Sequence, residues 1–173
     1  YASKLVVGDQ LDLKTEVGPL INHNEVNRVE EWVNDAVAKG AKILVGGKRI
    51  GNSCFEPTVI LNASDDAIVS NKEVFGPVVC IYSYKTLDEA IAKANSLEVS
   101  FQAAVFTKNL DVALKAVKRL NATAVMVNDH TAFRVDWMPF GGARVSGLGM
   151  GGIPHSMEEM SNEKMMVIKS SVL

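Results

Sequence analysis

The chain is poor in cysteine, in long apolar runs and in any excess of charge of one sign. Only Cys54 and Cys80 are cysteines among 173 residues, which excludes a disulfide scaffold and predicts reduced thiols in the cytoplasm. No apolar run approaches the roughly 20 residues that a membrane-spanning helix needs. The 18 basic and 20 acidic residues nearly cancel, so neither nucleic acid nor an anionic membrane is an expected partner. Three scattered histidines offer no metal-site spacing.

The first half of the sequence predicts one helix and two strands. Residues 22–39 have a helical period, with Gly40 placed to end the helix. The apolar face is formed by Val26, Val29, Val33, Ala36 and Val37. Residues 42–45 and 55–61 are strand-like, and Pro57 favours an edge position or a strand start for the second.

The middle of the chain alternates strands and helices. Strands are predicted over 77–84, 102–107 and 123–128, and helices over 86–95 and 109–120. Thr86 and Glu89 form a capping box at the start of the first of these helices. This order predicts an α/β fold, in which a parallel sheet is flanked by helices. A short helix to residue 160 and a final strand over 163–172 complete the prediction.

Residues 129–152 show no periodicity, are rich in glycine and hold several aromatic side chains, which favours a packed functional loop. Gly147, Gly149 and Gly152 match the G-x-G-x-x-G pattern of dinucleotide-binding loops. That pattern normally follows a strand and is followed by an acid about 20 residues later, and neither condition is met. We therefore interpret these glycines as turn residues. A nucleotide-binding domain using this loop is kept as an alternative.

Several motifs, taken in order, resemble the C-terminal part of the catalytic domain of aldehyde dehydrogenases, from about Leu5 to the chain's end. Two of them carry most of the resemblance: Lys72-Glu73-Val74-Phe75-Gly76-Pro77, and Met138-Pro139-Phe140-Gly141-Gly142 followed by Ser146-Gly147. The others are Val7-Gly8-Asp9, Thr15-Glu16-Val17-Gly18-Pro19-Leu20, Phe55-Glu56-Pro57-Thr58 and Ala104-Val105-Phe106-Thr107. One departure is Val99-Ser100-Phe101, where the family more often has Tyr-Gly-Leu.

The resemblance implies that Glu73 and Phe75 hold the nicotinamide ribose of NAD or NADP. A carboxylate accepts hydrogen bonds from ribose hydroxyls, and an aromatic ring packs against the apolar side of the sugar. The alternative is a surface glutamate and a core phenylalanine before a Gly-Pro turn.

The resemblance also implies that Phe140 packs beside an aldehyde. His130, Thr131, Phe133 and Arg134 are assigned to the substrate pocket by proximity alone. Arg134 is expected either to grip an anionic group with two parallel hydrogen bonds or to pair with Asp136. The pattern is similar to members acting on phosphonoacetaldehyde, lactaldehyde, glyceraldehyde 3-phosphate or succinate semialdehyde. The expected substrate is therefore a small polar or anionic aldehyde.

No catalytic residue is assigned within the chain. Cys54 and Cys80 lie in apolar, strand-like surroundings, which favours core thiols over nucleophiles. In the family the nucleophilic cysteine precedes these motifs, so we expect a part of a longer enzyme that is inactive alone.

Residues 1–162 are assigned to the catalytic-domain segment and 163–173 to a strand that joins subunits of a dimer or tetramer. The alternative function is a non-catalytic module for oligomerisation or partner binding.

Overall fold

The computed structural model of the protein describes residues 1–172, which fall into two compact units, the first ending at Ser83 and the second beginning at Tyr84. The helices are α1 (His23–Ala38), α2 (Ile68–Asn71), α3 (Leu87–Ala94), α4 (Leu110–Arg119) and α5 (Ile153–Glu159). The strands are β1 (Lys42–Val45), β2 (Arg49–Ile50), β3 (Cys54–Phe55), β4 (Thr58–Leu61), β5 (Val78–Ile81), β6 (Val99–Ser100), β7 (Gln102–Val105), β8 (Ala124–Val127) and β9 (Ala143–Arg144). The predicted α/β class is confirmed.

Helix α1 has well-formed caps at both ends. The Asn22 side chain accepts a hydrogen bond from the Glu25 N–H at the first turn. At the other end Gly40 adopts φ +92°, and the Ala41 N–H donates to Ala36 O at 2.9 Å. This is a Schellman ending, which needs a residue that tolerates the left-handed region. The predicted apolar face is buried except for Val37, which is exposed.

The first unit contains a three-stranded mixed sheet in the order β1-β4-β5, with β1 antiparallel and β5 parallel to β4. Strand β4 begins immediately after Pro57, so the strand-start interpretation of that proline is correct and the edge interpretation is wrong. The predicted strand over 55–61 is divided, because β3 pairs with β2 in a separate hairpin. Strand β1, which lies outside the predicted parallel set, runs antiparallel to β4 and makes this sheet mixed.

The core of the first unit lies between α1 and this sheet. Its fully buried side chains come from one face of α1 and from the strands that face it. They include Val26, Val29, Val33, Phe55 and Ile60.

Helix α2 is tied to α1 by the Asp35 carboxylate, which accepts from the Ile68 N–H at 2.9 Å. This hydrogen bond, assisted by Lys39, lowers the pKa of Asp35.

In the second unit β7 and β8 form a parallel pair, and α4 connects them. Half of the predicted capping box of α3 forms, since Thr86 Oγ1 accepts from the Glu89 N–H, whereas the Glu89 carboxylate accepts from the Lys85 N–H instead of the Thr86 N–H. Asn109 caps α4 in the same way through the Val112 N–H. Strand β5 pairs with β4 in the first unit, so the prediction of one parallel sheet through 77–84, 102–107 and 123–128 is only partly correct.

The end of the chain forms the predicted short helix α5, with Pro154 in its first turn. Within the described residues, 161–172 form no hydrogen-bonded strand. Leu173 of the predicted terminal strand lies outside the described residues. A strand completed by another subunit therefore stays a prediction, as does the boundary at residue 163. No helix within residues 1–172 is long and apolar enough to cross a membrane.

Two isoleucines on neighbouring strands provide a test of the core. Ile60 in β4 is fully buried, whereas Ile81 in β5 is 45% exposed. We expect Ile60→Ala to lower the free energy of unfolding by about 2–5 kcal/mol, through lost burial and a cavity. The matched change Ile81→Ala should lower it by about 1 kcal/mol or less. Urea denaturation measures both, and equal losses would contradict the position of the core.

Candidate functional site

The turn formed by Glu73, Val74 and Phe75 displays two side chains on the surface of the first unit. Val74 packs against the core cluster, while Glu73 and Phe75 on either side of it are exposed. The Phe75 side chain is 74% exposed, so the alternative of a core phenylalanine is wrong. Within residues 1–172 the Glu73 carboxylate makes no hydrogen bond or ion pair. The Glu73 carboxylate and the Phe75 ring are thus both exposed on the same turn, and the carboxylate has no hydrogen-bond or ion-pair partner within residues 1–172.

Helix α1 holds this turn from behind. Arg28 Nη2 donates to the Val74 carbonyl at 2.5 Å. The same guanidinium is fixed by a 2.6 Å ion pair with Glu25 and lies 4.3 Å from the ring centroid of Trp32. A half-buried arginine with three such contacts has little rotational freedom. The backbone between Glu73 and Phe75 is therefore anchored to the longest helix.

Phe75 adopts a left-handed backbone conformation, with φ +46°. This region is unfavourable for a bulky L-residue and persists only where the surroundings enforce it. The next residue, Gly76, contributes to that enforcement. A Cβ at Gly76 would meet Val29 Cγ2 at 2.9 Å, so only glycine allows the turn to approach α1 this closely. Strained residues of this kind concentrate at functional sites.

Both cysteines lie in the strands of the first unit. Cys54 is buried in β3, where it pairs with Ile50 of β2. Cys80 is half-buried in β5, and burial raises the pKa of its thiol, with only partial compensation from a hydrogen bond to Tyr82. A nucleophilic cysteine needs the opposite shift. The raised pKa thus argues against Cys80 as a nucleophile, and Cys54 is a buried core residue.

Phe140 lies in the glycine-rich loop of the second unit. Its backbone forms a two-way bridge with Gly151, with N···O distances of 3.1 and 2.7 Å. Its ring is perpendicular to that of Phe101, with centroids 5.0 Å apart. The ring is therefore fixed by contacts on its backbone and on its side chain.

Arg134 is brought onto this ring. Its guanidinium carbon lies 3.8 Å from the Phe140 centroid, at cation–π distance. Within residues 1–172 the Asp136 carboxylate, the other partner considered from the sequence, forms no ion pair with Arg134. The structure thus gives Arg134 an aromatic partner and places it with Phe140.

His130, Thr131 and Phe133 lie in a separate tight turn, closed by the Phe133 N–H donating to His130 O. All three are exposed. The His130 N–H also donates to the Asp129 carboxylate at 2.8 Å. The turn precedes Arg134 directly in the chain, and its assignment to a pocket stays a prediction.

The glycines of this loop serve close backbone approach. A Cβ at Gly152 would meet Met138 O at 2.5 Å, and Gly152 has φ +109°. A Cβ at Gly142 would meet Ser146 O at 2.6 Å. The strand that precedes Gly147, Gly149 and Gly152 is β9, and it pairs antiparallel with β6. A dinucleotide-binding loop instead connects a strand to a helix within a strand-helix-strand unit. The interpretation of the glycines as turn residues is therefore supported.

Sequence reasoning did not identify Arg28 or Phe101 as parts of these sites. Glu25 and Arg28 at helical spacing were a weak signal, because such pairs are common on helix surfaces. Phe101 was visible only as a departure from the family pattern. Within residues 1–172, no group of three or more His, Cys, Asp or Glu side chains is placed to hold a metal ion.

Comparisons with known proteins agree along nearly the whole chain. The model of the aldehyde dehydrogenase family matches residues 1–166. A 3-sulfolactaldehyde dehydrogenase of Priestia aryabhattai is 46% identical over 165 residues, which cover 95% of this chain and 34% of that protein.

Solved structures give the same result. Aldehyde dehydrogenase 21 of Physcomitrella patens, in complex with the reaction product succinate, superposes with a TM-score of 0.88 and 38% identity, covering 92% of this chain and 33% of that one. A glyceraldehyde-3-phosphate dehydrogenase of Methanocaldococcus jannaschii, complexed with NADP, gives a TM-score of 0.87 and 42% identity, with coverages of 93% and 35%. The chain spans about a third of the length of these relatives.

The exposure of Phe75 leads to a stability test. Because its ring is mostly exposed and its backbone is left-handed, Phe75→Gly should leave the free energy of unfolding within about 1 kcal/mol of wild type, or raise it. The buried Phe55 serves as the control, and Phe55→Ala should cost about 3–5 kcal/mol. A loss at position 75 as large as that at position 55 would show that Phe75 is a core residue.

Proposed function

Because this chain belongs to the aldehyde dehydrogenase family, we propose that it is the C-terminal catalytic-domain segment of an NAD(P)-dependent enzyme that oxidises a small polar or anionic aldehyde. The product is the corresponding carboxylic acid. The single observation that carries the proposal is the exposed pair Glu73 and Phe75, held in a strained turn with no partner of their own.

The residues of this turn fit a nicotinamide ribose. The Glu73 carboxylate is an acceptor-only group, and ribose hydroxyls are donors. The Phe75 ring offers an apolar face of the size of a sugar or pyridine ring. Glu73 and Phe75 would hold NAD or NADP by this ribose, and the bound cofactor would supply the hydride acceptor for the oxidation. The role of the chain is to orient the ribose through Glu73 and Phe75, on a backbone that Arg28 keeps in place.

The residues proposed to bind the aldehyde substrate lie in the second unit. Phe140 offers an aromatic wall, and Arg134 lies on it as a cation. A guanidinium binds carboxylate, phosphate or phosphonate groups through parallel hydrogen bonds. The relatives named above act on 3-sulfolactaldehyde and glyceraldehyde 3-phosphate or hold succinate, and each of these compounds carries an anionic group. His130, Thr131 and Phe133 are proposed to line the same pocket.

The chemical step needs a nucleophile that this chain does not provide. Cys54 is buried and the pKa of the Cys80 thiol is raised, so neither serves as the thiolate. We propose that the attacking cysteine and the general base lie in a part of the enzyme that precedes these residues. The 173 residues alone should then show no dehydrogenase activity.

The location and assembly of the enzyme are also proposals. Cys54 and Cys80 are both free thiols, which supports a cytoplasmic enzyme. The final segment carries exposed apolar side chains, among them Met165, Met166, Val167 and Ile168. Such a row favours burial against another subunit, in a dimer or tetramer.

The cofactor assignment is tested by Glu73→Gln in the full-length enzyme. Glutamine keeps one acceptor oxygen but loses the charge and the second acceptor, which costs about 1 kcal/mol or more, so KM for NAD or NADP should rise about fivefold or more. Glu31→Gln, an exposed glutamate on α1, is the matched control and should change nothing. Steady-state kinetics with each cofactor gives the answer. An unchanged cofactor KM in Glu73→Gln would refute the assignment.

The assembly proposal is tested by deleting residues 163–173 from the full-length protein. The deletion should reduce the mass measured by light scattering from that of an oligomer to that of a smaller species, because the apolar segment loses its partner surface. Retention of the same assembly would remove the segment as a subunit contact and leave the cofactor assignment untouched.

A further inference from the structure

The segment Val99-Ser100-Phe101 is joined to the loop that carries Phe140 by several independent contacts. Strand β6 pairs antiparallel with β9, which begins at Ala143, three residues after Phe140. The Ser100 N–H also donates to Ser146 Oγ at 2.9 Å. These contacts fix the backbone that follows Gly142.

Thr123 connects the same two stretches of backbone. Its N–H donates to Phe101 O at 2.8 Å, and its Oγ1 lies 2.7 Å from Phe101 O and 2.6 Å from Gly141 O. A hydroxyl has one proton, so it donates to one of these carbonyls at a time. The carbonyls of residues 101 and 141 are thereby held around a single side chain.

The side chains repeat this connection. The rings of Phe101 and Phe140 meet at 83° with centroids 5.0 Å apart, which is an edge-to-face geometry. Arg134 occupies a position 3.8 Å from the centroid of the same Phe140 ring. The three side chains therefore form a sequence of contacts, in which Phe140 lies between Phe101 and Arg134.

Stacking leaves the guanidinium free to bind an anion. A guanidinium on an aromatic ring uses its flat face, whereas carboxylates and phosphonates are bound by N–H groups at its edge. An arginine held against a fixed ring also loses less rotational freedom when it binds. A fixed Phe140 ring thus favours anion binding by Arg134, although the ring itself does not contact the anion.

We propose that Phe101 is a positioning residue for the anionic group of the substrate, acting through Phe140 on Arg134. This inference rests on the proposed function of that site. Phe101 would then determine substrate specificity without lining the pocket. An aromatic side chain at position 101 would favour aldehydes with an anionic end over neutral aldehydes of the same length.

The test is a double-mutant cycle on the full-length enzyme, with phosphonoacetate as the probe in calorimetric titrations. Leucine at 101 keeps an apolar side chain but has no ring. Phe101→Leu should raise the Kd for phosphonoacetate about two- to tenfold, the range expected for one edge-to-face pair. Arg134→Gln should weaken binding further. In the Arg134→Gln background, the change at 101 should have no additional effect.

Two further variants separate positioning from general packing. Phe101→Tyr keeps the ring and should retain the wild-type Kd. Phe106→Leu removes an exposed ring of the same unit and should also leave the Kd unchanged. Thermal melts check folding, and Phe101→Met replaces Phe101→Leu if the latter does not fold. Equal effects of Phe101→Leu with and without Arg134 would overturn the proposal.

Kinetics distinguish this inference from the proposed function. Phe101→Leu should raise KM for phosphonoacetaldehyde and leave kcat, and the KM of propionaldehyde, within about twofold of wild type. Similar changes for both aldehydes would show a merely structural role and contradict the proposal. A wild-type enzyme that oxidises no aldehyde would refute the proposed function, while the titrations would still decide the role of Phe101. Turnover without any phosphonoacetate binding would overturn only the inference.

Discussion

The hydrogen bond from Arg28 to the Val74 carbonyl is the constraint on which the proposed cofactor site of this chain depends. It ties a surface turn to the helix that also forms the core. On one side of that carbonyl Glu73 is exposed, and on the other Phe75 is forced into a left-handed conformation. Gly76 makes the arrangement possible, because any larger residue would collide with Val29. Backbone strain of this kind at an exposed aromatic residue indicates a role other than packing.

The elements that could be predicted from the sequence are those whose signals are local. Helix α1 begins at its Asn22 cap and ends at Gly40 as the pattern indicates, and α3 and α4 are capped by Thr86 and Asn109. Pairing between strands is not local, and here prediction failed. Nothing near Pro57 indicates that β4 becomes the central strand with an antiparallel neighbour, since that depends on residues far away in the chain.

The candidate site shows the same division. The identities of Glu73, Phe75 and Phe140 were carried by short motifs, and the structure supplies their surroundings. The exposure of Phe75 could not be inferred, because a phenylalanine before a Gly-Pro turn is equally compatible with a core position. The contact of Arg134 with Phe140 depends on how the glycine-rich loop folds back on itself, which requires glycine at 142 and 152. The candidate site therefore depends on backbone geometry as much as on the chemistry of its side chains.

The central claim is that Glu73 and Phe75 together hold the ribose of a redox cofactor. A crystal structure of the full-length enzyme with NAD or NADP tests it most directly. We expect a Glu73 carboxylate oxygen within about 2.6–3.2 Å of a nicotinamide-ribose hydroxyl, with the Phe75 ring against the same sugar. A cofactor bound with its ribose on other residues, and Glu73 still facing solvent, would contradict the account.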